Sequence, residues 1–300
     1  MTNTLSKKLF LPLRQAERYQ LSAVLELSTL GPEQLKRLVP RDHRILHPLM
    51  QQAEFSNVRQ CGIGLYAVKG KATVQSQSNL FWQLNELAAD AICGWIVSAL
   101  PTAALASHLA QANTVLGPDG QRYLLRYHTE HCLRVLHGRK DLPELVEWFA
   151  PIHSWWVPYP DANEEIWGCL MGGDRPATQA LKDLTLDAAC WEALAVDPLE
   201  HRLADQLKTS LTVSGQAKQC HSVRLGRVRK YLKAAREAGF IEQQDLITYV
   251  THFALLGDRL TLEPIWQTAV KESLEQSLPL DQRLQTHLHR LIRQGPSCSI

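Results

Sequence analysis

Histidine and cysteine side chains cluster near the middle of the chain and are the first candidates for chemistry. His128, His131 and Cys132 are close together, and His137 follows them. On a helix, His128 and Cys132 stand at positions i and i+4, a spacing that lets two side chains reach one metal ion. The chain has no second ligand pair at a matching spacing and no HExxH motif. We therefore predict a packed or solvated helix start with no metal or cofactor; a metal-dependent enzyme that uses these residues is the alternative.

Other patterns typical of enzymes are missing or lie in the wrong context. The stretch from Gly62 to Ala67 matches the GxGxxA pattern of dinucleotide-binding turns. That pattern requires a buried strand before it and a helix that begins within it. Here residues 54–60 are polar and residues 65–74 have strand character. The chain also has no GxSxG nucleophile motif, so we predict no catalytic residue and no enzymatic activity.

A run of basic residues offers charge chemistry instead. Its members are Arg224, Arg227, Arg229, Lys230, Lys233 and Arg236. Val228, Leu232 and Ala235 share one face at helical spacing, with Tyr231 beside them, which predicts an amphipathic helix. We predict that the basic residues bind an acidic patch on a protein partner, although a merely solvated face gives the same pattern. A nucleic-acid binder acting through residues 224–236 is a further alternative, which the net charge of only +2 disfavours.

Two adjacent tryptophans, Trp155 and Trp156, precede a proline-rich turn. Neighbouring residues of a strand point to opposite faces, so one ring should enter the core and the other should point outward. Aromatic side chains dominate interface hot spots, and we predict that this pair contributes to partner binding, with core or loop packing as the alternative.

A hairpin lies at the centre of the elements that must position these residues. Residues 114–116 and 121–127 have strand character, and Pro118-Asp-Gly120 between them is typical of a turn because glycine accepts a positive φ. Alternation places Arg122, Leu124 and Arg126 on one face of the second strand, and Tyr123, Leu125 and Tyr127 on the other.

Strands and helices alternate around that hairpin. Strand patterns cover residues 21–27 and 62–69, and residues 72–75 are expected to pair with the second of these. Residues 41–53 have uneven helical spacing, and residues 158–176 look irregular. Asn79 could cap the following helix, and Asp141 with Glu144 resembles a capping box for a helix that ends at Phe149.

The second half of the chain is helical in period, at 186–194, 198–211, 223–238, 242–256, 263–276 and 279–294. We predict an α/β (α+β) protein with an N-terminal mixed-sheet lobe and covering helices, followed by a C-terminal all-helical lobe. The expected divisions are residues 1–157 for the first lobe, 158–219 for connecting segments and 220–300 for the helical domain.

Composition excludes several broad classes of protein. Hydrophobic residues make up 45% and charged residues 21% of the chain, which is typical of a globular protein. Seven cysteines are scattered singly without a CxxC motif, which favours reduced thiols. The chain shows no signal peptide and no apolar stretch of membrane-spanning length, so we predict a cytoplasmic protein without a membrane partner.

The order of short motifs in the central block resembles one family. These motifs are Gly94–Leu100, a helix with Leu105, His108 and Leu109, Pro118–Gly120, Leu124–Tyr127, Phe149–Ile152 and Trp155–Trp156. They are similar to those of the effector chaperones, or adaptors, of bacterial type VI secretion systems, over roughly residues 20–157. Arg126 and Tyr127 match the Arg-Phe-Tyr-Asp-Pro-Arg motif of that family, whereas residues 128–131 depart from it.

This resemblance implies a non-enzymatic role in the delivery of bacterial toxins. An adaptor of this family holds a toxic effector and loads it onto the spike tip protein of the secretion machine. The resemblance thus implies two protein partners, the N-terminal segment of a cognate effector and the spike tip protein. Arg126, Tyr127 and Trp156 are the expected contacts in the first lobe.

Overall fold

The computed structural model describes residues 2–15, 17–38, 43–70, 72–179, 184–195, 198–213 and 219–293, and their side chains except at 2–3, 212–213 and 288–293. The chain divides into two compact units. The first contains Met1–Tyr159 and Ile166–Val196, and the second contains Pro160–Glu165 and Asp197–Ile300. The three divisions expected from the sequence stay a prediction.

A six-stranded sheet forms the centre of the first unit. Its strands are β1 (Gln20–Glu26), β2 (Arg44–Pro48), β3 (Ile63–Val68), β4 (Ile92–Ser98), β7 (Ile152–Tyr159) and β8 (Ile166–Met171). A separate two-stranded hairpin contains β5 (Thr114–Leu116) and β6 (Arg122–Leu124). The strand order of the large sheet is β2-β3-β1-β4-β7-β8, and all of its pairs are antiparallel. With the helices described next, this confirms the predicted α/β (α+β) class.

Helices cover the two faces of this sheet. They are α1 (Thr2–Gln15), α2 (Pro32–Leu38), α3 (Val74–Ala88), α4 (Thr102–Ala110), α5 (Glu130–Gly138), α6 (Pro143–Phe149) and α7 (Ala188–Leu194). Leucines of α1 and α3 share one apolar cluster with Trp95, and leucines of α4, α5 and α6 share another with Trp155. Because both faces are packed, β3 is buried at every residue, which explains its continuous apolar run.

Five local predictions in this unit were wrong. Residues 41–53, expected to be helical, contain β2, whose residues are all half-buried and give no clear period. Residues 72–75 lead into α3 instead of pairing with β3, since the Thr73 side chain accepts a bond from Ser76 N–H and begins the helix in place of Asn79. The capping box at α6 is missing, because Asp141 instead pairs with Arg139. The segment 158–176 contains β8.

The predicted hairpin is confirmed, with a shorter second strand. Thr114, Val115 and Leu116 pair with Leu124, Tyr123 and Arg122. Gly120 has φ +75° in the turn, a conformation that side chains with a Cβ rarely adopt. The strand ends at Leu124 because the chain turns back, with Thr129 N–H donating to Arg126 C=O at 3.0 Å.

The second unit contains a bundle of helices. They are α8 (Pro198–Val213), α9 (His221–Glu237), α10 (Gln243–Leu256), α11 (Pro264–Gln276) and α12 (Leu280–Arg293). Their apolar faces share one core, in which Val228, Leu232 and Ala235 of α9 are fully buried. The predicted apolar stripe of the basic helix is therefore confirmed.

Two general features complete the fold. Among the described residues, no helix is long and apolar enough to cross a membrane. The six described cysteines are free thiols, whereas Cys298 lies outside the described residues.

Candidate protein-contact surface

His128 lies inside the first unit and not on an accessible ligand site. Its side chain is 4% exposed, and its Nε2 atom has no hydrogen-bond partner. Burial, and then the nearby positive charge of Arg126, lower the pKa of His128 to about 3. The imidazole is therefore neutral at ordinary pH, and it packs beside the Tyr127 ring at a centroid distance of 6.2 Å.

The other members of the histidine and cysteine cluster have structural partners. His131 Nε2 lies 2.7 Å from Ala193 C=O, and His137 Nε2 lies 2.8 Å from Met171 C=O. Burial raises the pKa of the Cys132 thiol to about 12, so the group stays protonated. In the described part of the chain, no three His, Cys, Asp or Glu side chains converge as a metal site would require.

Tyr127 and Trp155 lie in a buried aromatic cluster with Trp148. Tyr127 is 1% exposed and Trp155 is 0% exposed. The ring centroids of Tyr127 and Trp148 are 5.2 Å apart, and those of Trp148 and Trp155 are 5.9 Å apart. The structure therefore corrects the sequence-based assignment: both residues pack in the core, and neither offers a side chain to a partner.

Trp156 points to the opposite face of the sheet, as strand alternation predicts. It is half-buried beside α1, and the Lys8 ammonium lies 5.5 Å from its ring centroid. This cation–π contact covers part of the ring that was expected to point outward. A role for Trp156 in partner binding stays a prediction.

Arg126 remains accessible next to the hairpin. Its side chain is 58% exposed, and its Nη2 atom donates to Glu26 Oε1 at 2.9 Å. The ion pair joins the segment after β6 to the end of β1. An exposed pair of this kind adds little stability, which leaves the guanidinium available to a partner carboxylate or carbonyl.

The hairpin beside Arg126 exposes two large side chains, Tyr123 and Leu124. They are 38% and 46% exposed. Tyr123 O–H donates to Asp119 Oδ2 at 2.7 Å, which lowers the pKa of Asp119, and the Tyr123 ring contacts Trp191 edge to face at 4.9 Å. Backbone bonds across the turn fix the same tip. We call Tyr123, Leu124 and Arg126 the hairpin surface, because all three are exposed on the hairpin or directly after it, with Tyr123 and Leu124 on opposite faces of the strand.

Of these three residues, the sequence predicts only Arg126 as a contact. Alternation grouped Tyr123 with Leu125 and Tyr127, yet Leu125 and Tyr127 are buried while Tyr123 is exposed. The signal available in the sequence was the Pro118-Asp-Gly120 turn itself. A strand that follows so tight a turn can project from the core at its first residues.

Helix α9 is more buried than its basic sequence suggests. Arg224 is 3% exposed, and its Nε atom donates to Ala204 C=O at 2.9 Å while Nη1 donates to Gln219 C=O. The guanidinium group of Arg224 has five N–H donors, so it can donate to two carbonyls at the same time. The structure thus corrects the predicted role of Arg224: the residue joins α8 to α9 within the second unit and is not accessible to a partner.

Several other cations of α9 have partners within the second unit. Arg227 Nε donates to Ala162 C=O at 3.0 Å. Arg229 Nε lies 2.8 Å from Glu200 Oε2, and Lys230 Nζ lies 2.7 Å from Asp258 Oδ2. Lys230, Tyr231 and Asp258 also line a cavity of about 300 Å³. Carboxylates of the same chain thus balance the charges of Arg229 and Lys230, whereas the carbonyl bonded to Arg227 leaves its charge unbalanced, so the run offers a phosphate backbone less free charge than its sequence suggests.

The last turns of α9 keep the most accessible positive charge. Lys233 is 79% exposed, with Glu237 Oε1 3.8 Å from its Nζ atom, and Arg236 is also exposed. Charged residues at an accessible rim affect the association rate and the choice of partner more than the affinity. Lys233 and Arg236 are thus the members of the basic run best placed for an acidic partner.

Gly226 of α9 is expected to tolerate no larger residue. A methyl group there would overlap the Asp161 backbone, so Gly226→Ala should lower the free energy of unfolding by about 1–3 kcal/mol despite its better helix propensity. Urea unfolding followed by circular dichroism measures this change. Gly138→Ala at the end of α5 is the control, since a Cβ there meets open space. Equal stability of the two variants would contradict the prediction.

Comparison with known proteins adds one match. Residues 27–147 match the model of a family described as "Domain of unknown function (DUF4123)". The matched range includes β2–β6 and the hairpin surface and covers less than half of the chain. A search of curated proteins and a search of solved structures each gave no match.

Proposed function

We propose that this protein is an adaptor of the type VI secretion system. It binds a cognate toxic effector and helps to load it onto the spike tip protein, by protein–protein recognition and without catalysis. The family match at residues 27–147 and the short motifs of the central block support this proposal. The remainder of the chain lies outside the match.

The observation that carries the proposal is the exposed and rigid hairpin surface. Tyr123 and Leu124 expose apolar area on the two faces of the hairpin, and the accessible Arg126 follows them two residues later in the chain. Aromatic residues and arginine are enriched at binding hot spots, and a fixed hairpin loses little conformational entropy when it binds. Apolar burial supplies most of the free energy, and Arg126 selects a partner with an acceptor at the rim.

The accessible end of α9 is the second proposed contact. Lys233 and Arg236 are the proposed contacts with an acidic patch on the effector or on the spike tip protein. Arg227, Arg229 and Lys230 contribute only if the partner displaces their present carboxylate and carbonyl partners. Exchange of Lys233 and Arg236 for glutamate would therefore weaken binding at low salt more than at high salt.

Co-expression tests the proposed function directly. The full chain is produced with the toxin encoded by a neighbouring reading frame, and a stable complex is expected in affinity purification and gel filtration. A spike tip gene near the same locus is also expected. Failure to capture the toxin, together with an unrelated metabolic operon around the gene, would overturn the proposal. Salt-dependent binding to DNA or RNA that is lost on Arg227→Glu with Arg229→Glu would support the nucleic-acid alternative.

Polar substitutions on the hairpin are expected to weaken effector binding. Tyr123→Ser with Leu124→Ser should cost about 1–3 kcal/mol of binding free energy, roughly a fivefold to 150-fold loss of affinity. Isothermal titration with the co-expressed toxin measures this change. Leu11→Ser is the matched control, because Leu11 of α1 is 57% exposed and lies outside the family match. An equal loss in the control would contradict the assignment of the hairpin surface.

A further inference from the structure

The backbone of β2 leaves one side of the large sheet open. Leu49 N–H donates to Ile63 C=O at 2.9 Å, and Lys69 N–H donates to His43 C=O at 3.1 Å. Because hydrogen-bonded positions alternate in an antiparallel pair, Ile45 and His47 also face β3. The backbone groups of Arg44, Leu46 and Pro48 therefore point away from the sheet.

Two of these residues, Arg44 and Leu46, have backbone groups that form no hydrogen bond on the open side. Pro48 C=O accepts from Gln51 Nε2 at 3.2 Å. Among the described residues, the N–H and C=O groups of Arg44 and Leu46 have no partner on this side. Both residues are half-exposed, and β2 is the end strand of the sheet. An edge of this kind is a template for another extended chain.

The opposite edge of the sheet is closed at one end. Pro158 has no N–H, so Pro158 and its partner Trp167 form a non-hydrogen-bonded pair. The backbone groups of Trp167, and by alternation those of Cys169 and Met171, therefore point away from β7. There, Met171 C=O accepts from His137 Nε2 at 2.8 Å. The His137 side chain of α5 thus occupies a backbone acceptor that an added strand would otherwise use at β8. Along β2, in the described part of the chain, no side chain does the same for Arg44 or Leu46.

Positive charge accompanies the open edge. Arg44 lies on β2, and the exposed Lys69 lies opposite His43 at the same end of the strand pair. Within the ranges that the structure describes, no carboxylate forms an ion pair with Arg44 or Lys69. An extended segment with carboxylates would therefore gain charge pairing as well as backbone bonds, whereas a basic segment would be repelled.

We propose that the β2 edge binds an extended acidic segment of a partner protein, which adds to the sheet as a seventh strand beside β2. The inference rests on the proposed function for its claim that this partner is the effector. The N–H and C=O groups of Arg44 and Leu46 pair with the added backbone, and Arg44 and Lys69 bind its carboxylates. Leu46 itself packs inward over Gly64, so its side chain keeps the strand in place.

A synthetic peptide tests the edge without any effector. The probe is an extended heptapeptide, Thr-Glu-Val-Glu-Val-Glu-Thr, and its control replaces each glutamate with lysine. Nitrogen-15 amide spectra of the full chain are recorded up to about 1 mM peptide, where weak binding is still visible. The acidic peptide is expected to shift the Arg44 and Leu46 amides and to bind at least about tenfold more tightly than the lysine peptide. Unchanged amides at these positions would overturn the inference.

Two variants separate edge pairing from a general effect. Leu46→Pro removes an outward N–H and should weaken the acidic peptide at least about tenfold, whereas Met171→Pro does the same at β8 and should leave binding unchanged. Arg44→Glu keeps the backbone and offsets the charge of Lys69, so the preference for the acidic peptide should be lost. Circular dichroism shows whether Leu46→Pro folds. If it does not, Arg44→Glu alone tests the edge, and an unchanged preference for the acidic peptide over the lysine peptide overturns the inference.

The two proposals fail in different ways. Toxin capture that Leu46→Pro and Arg44→Glu leave unchanged would overturn the β2 edge and leave the adaptor function standing. A peptide that binds β2 as expected while no toxin is captured would overturn the adaptor function and leave the edge as a binding site for another protein.

Discussion

Replacement of Trp155 by alanine is expected to lower the free energy of unfolding by about 3–5 kcal/mol. The ring is fully buried between Trp148 and Tyr127, so its removal leaves a cavity in the aromatic cluster on that face of the sheet. Gly94 lies directly against the indole, and a Cβ at Gly94 would come within 2.7 Å of Trp155 Nε1. Backbone on one side and rings on the other limit how far the site can collapse, which places the cost in the upper part of the range for core residues.

Trp156 provides the matched control for this prediction. It is the next residue of β7, has the same side chain and is only half-buried, so Trp156→Ala should cost about 1–2 kcal/mol. Urea unfolding followed by far-ultraviolet circular dichroism avoids dependence on the removed fluorophore. A Trp156→Ala variant as destabilised as Trp155→Ala would contradict the placement of the two rings on differently packed faces.

The elements best predicted from the sequence are the strands buried on both faces and the helices whose apolar residues recur at strict helical spacing. The strands β1 and β3 are buried on both faces and appear as short apolar runs, and α9 shows its stripe at helical spacing. The edge strands β2 and β8 were missed for different reasons. Strand β2 is half-buried throughout and mixes polar with apolar residues without alternation, whereas β8 is a short apolar run enclosed between turn-forming segments. Local pattern cannot show that a strand lies at the end of a sheet.

The candidate site was predicted less well, because its properties depend on contacts between distant residues. Arg224 has the sequence context of a solvated helix face, yet the Ala204 carbonyl draws it into the interior of the second unit. Lys230 is neutralised by Asp258, a pairing that no local spacing suggests. Tyr127 was an expected contact because it matches the family motif beside Arg126, yet its ring packs in the buried aromatic cluster with Trp148. The sequence identifies candidate contact residues by type and spacing, whereas tertiary contacts decide which of them are exposed.

Acidification is expected to destabilise the protein through His128. A histidine in the unfolded chain titrates near pH 6.5, whereas burial holds the pKa of His128 at about 3 in the folded protein. Between these two values the unfolded state binds a proton that the folded state does not bind. The free energy of unfolding should therefore fall by about 1.4 kcal/mol for each pH unit below 6.5, up to about 5 kcal/mol near pH 3.

His128→Phe isolates this contribution, because phenylalanine keeps an apolar ring beside Tyr127 and cannot titrate. Urea unfolding is measured between about pH 7.5 and pH 4 for both proteins, and the difference in stability should shift in favour of the variant as the pH falls. His108, whose pKa burial also lowers, is present in both proteins and cancels in that difference. The imidazole of His128 touches a buried ring and lacks a partner at Nε2, so no hydrogen bond at that atom compensates for its protonation. Parallel stability curves for the two proteins across this range would show that His128 is not buried as a neutral side chain.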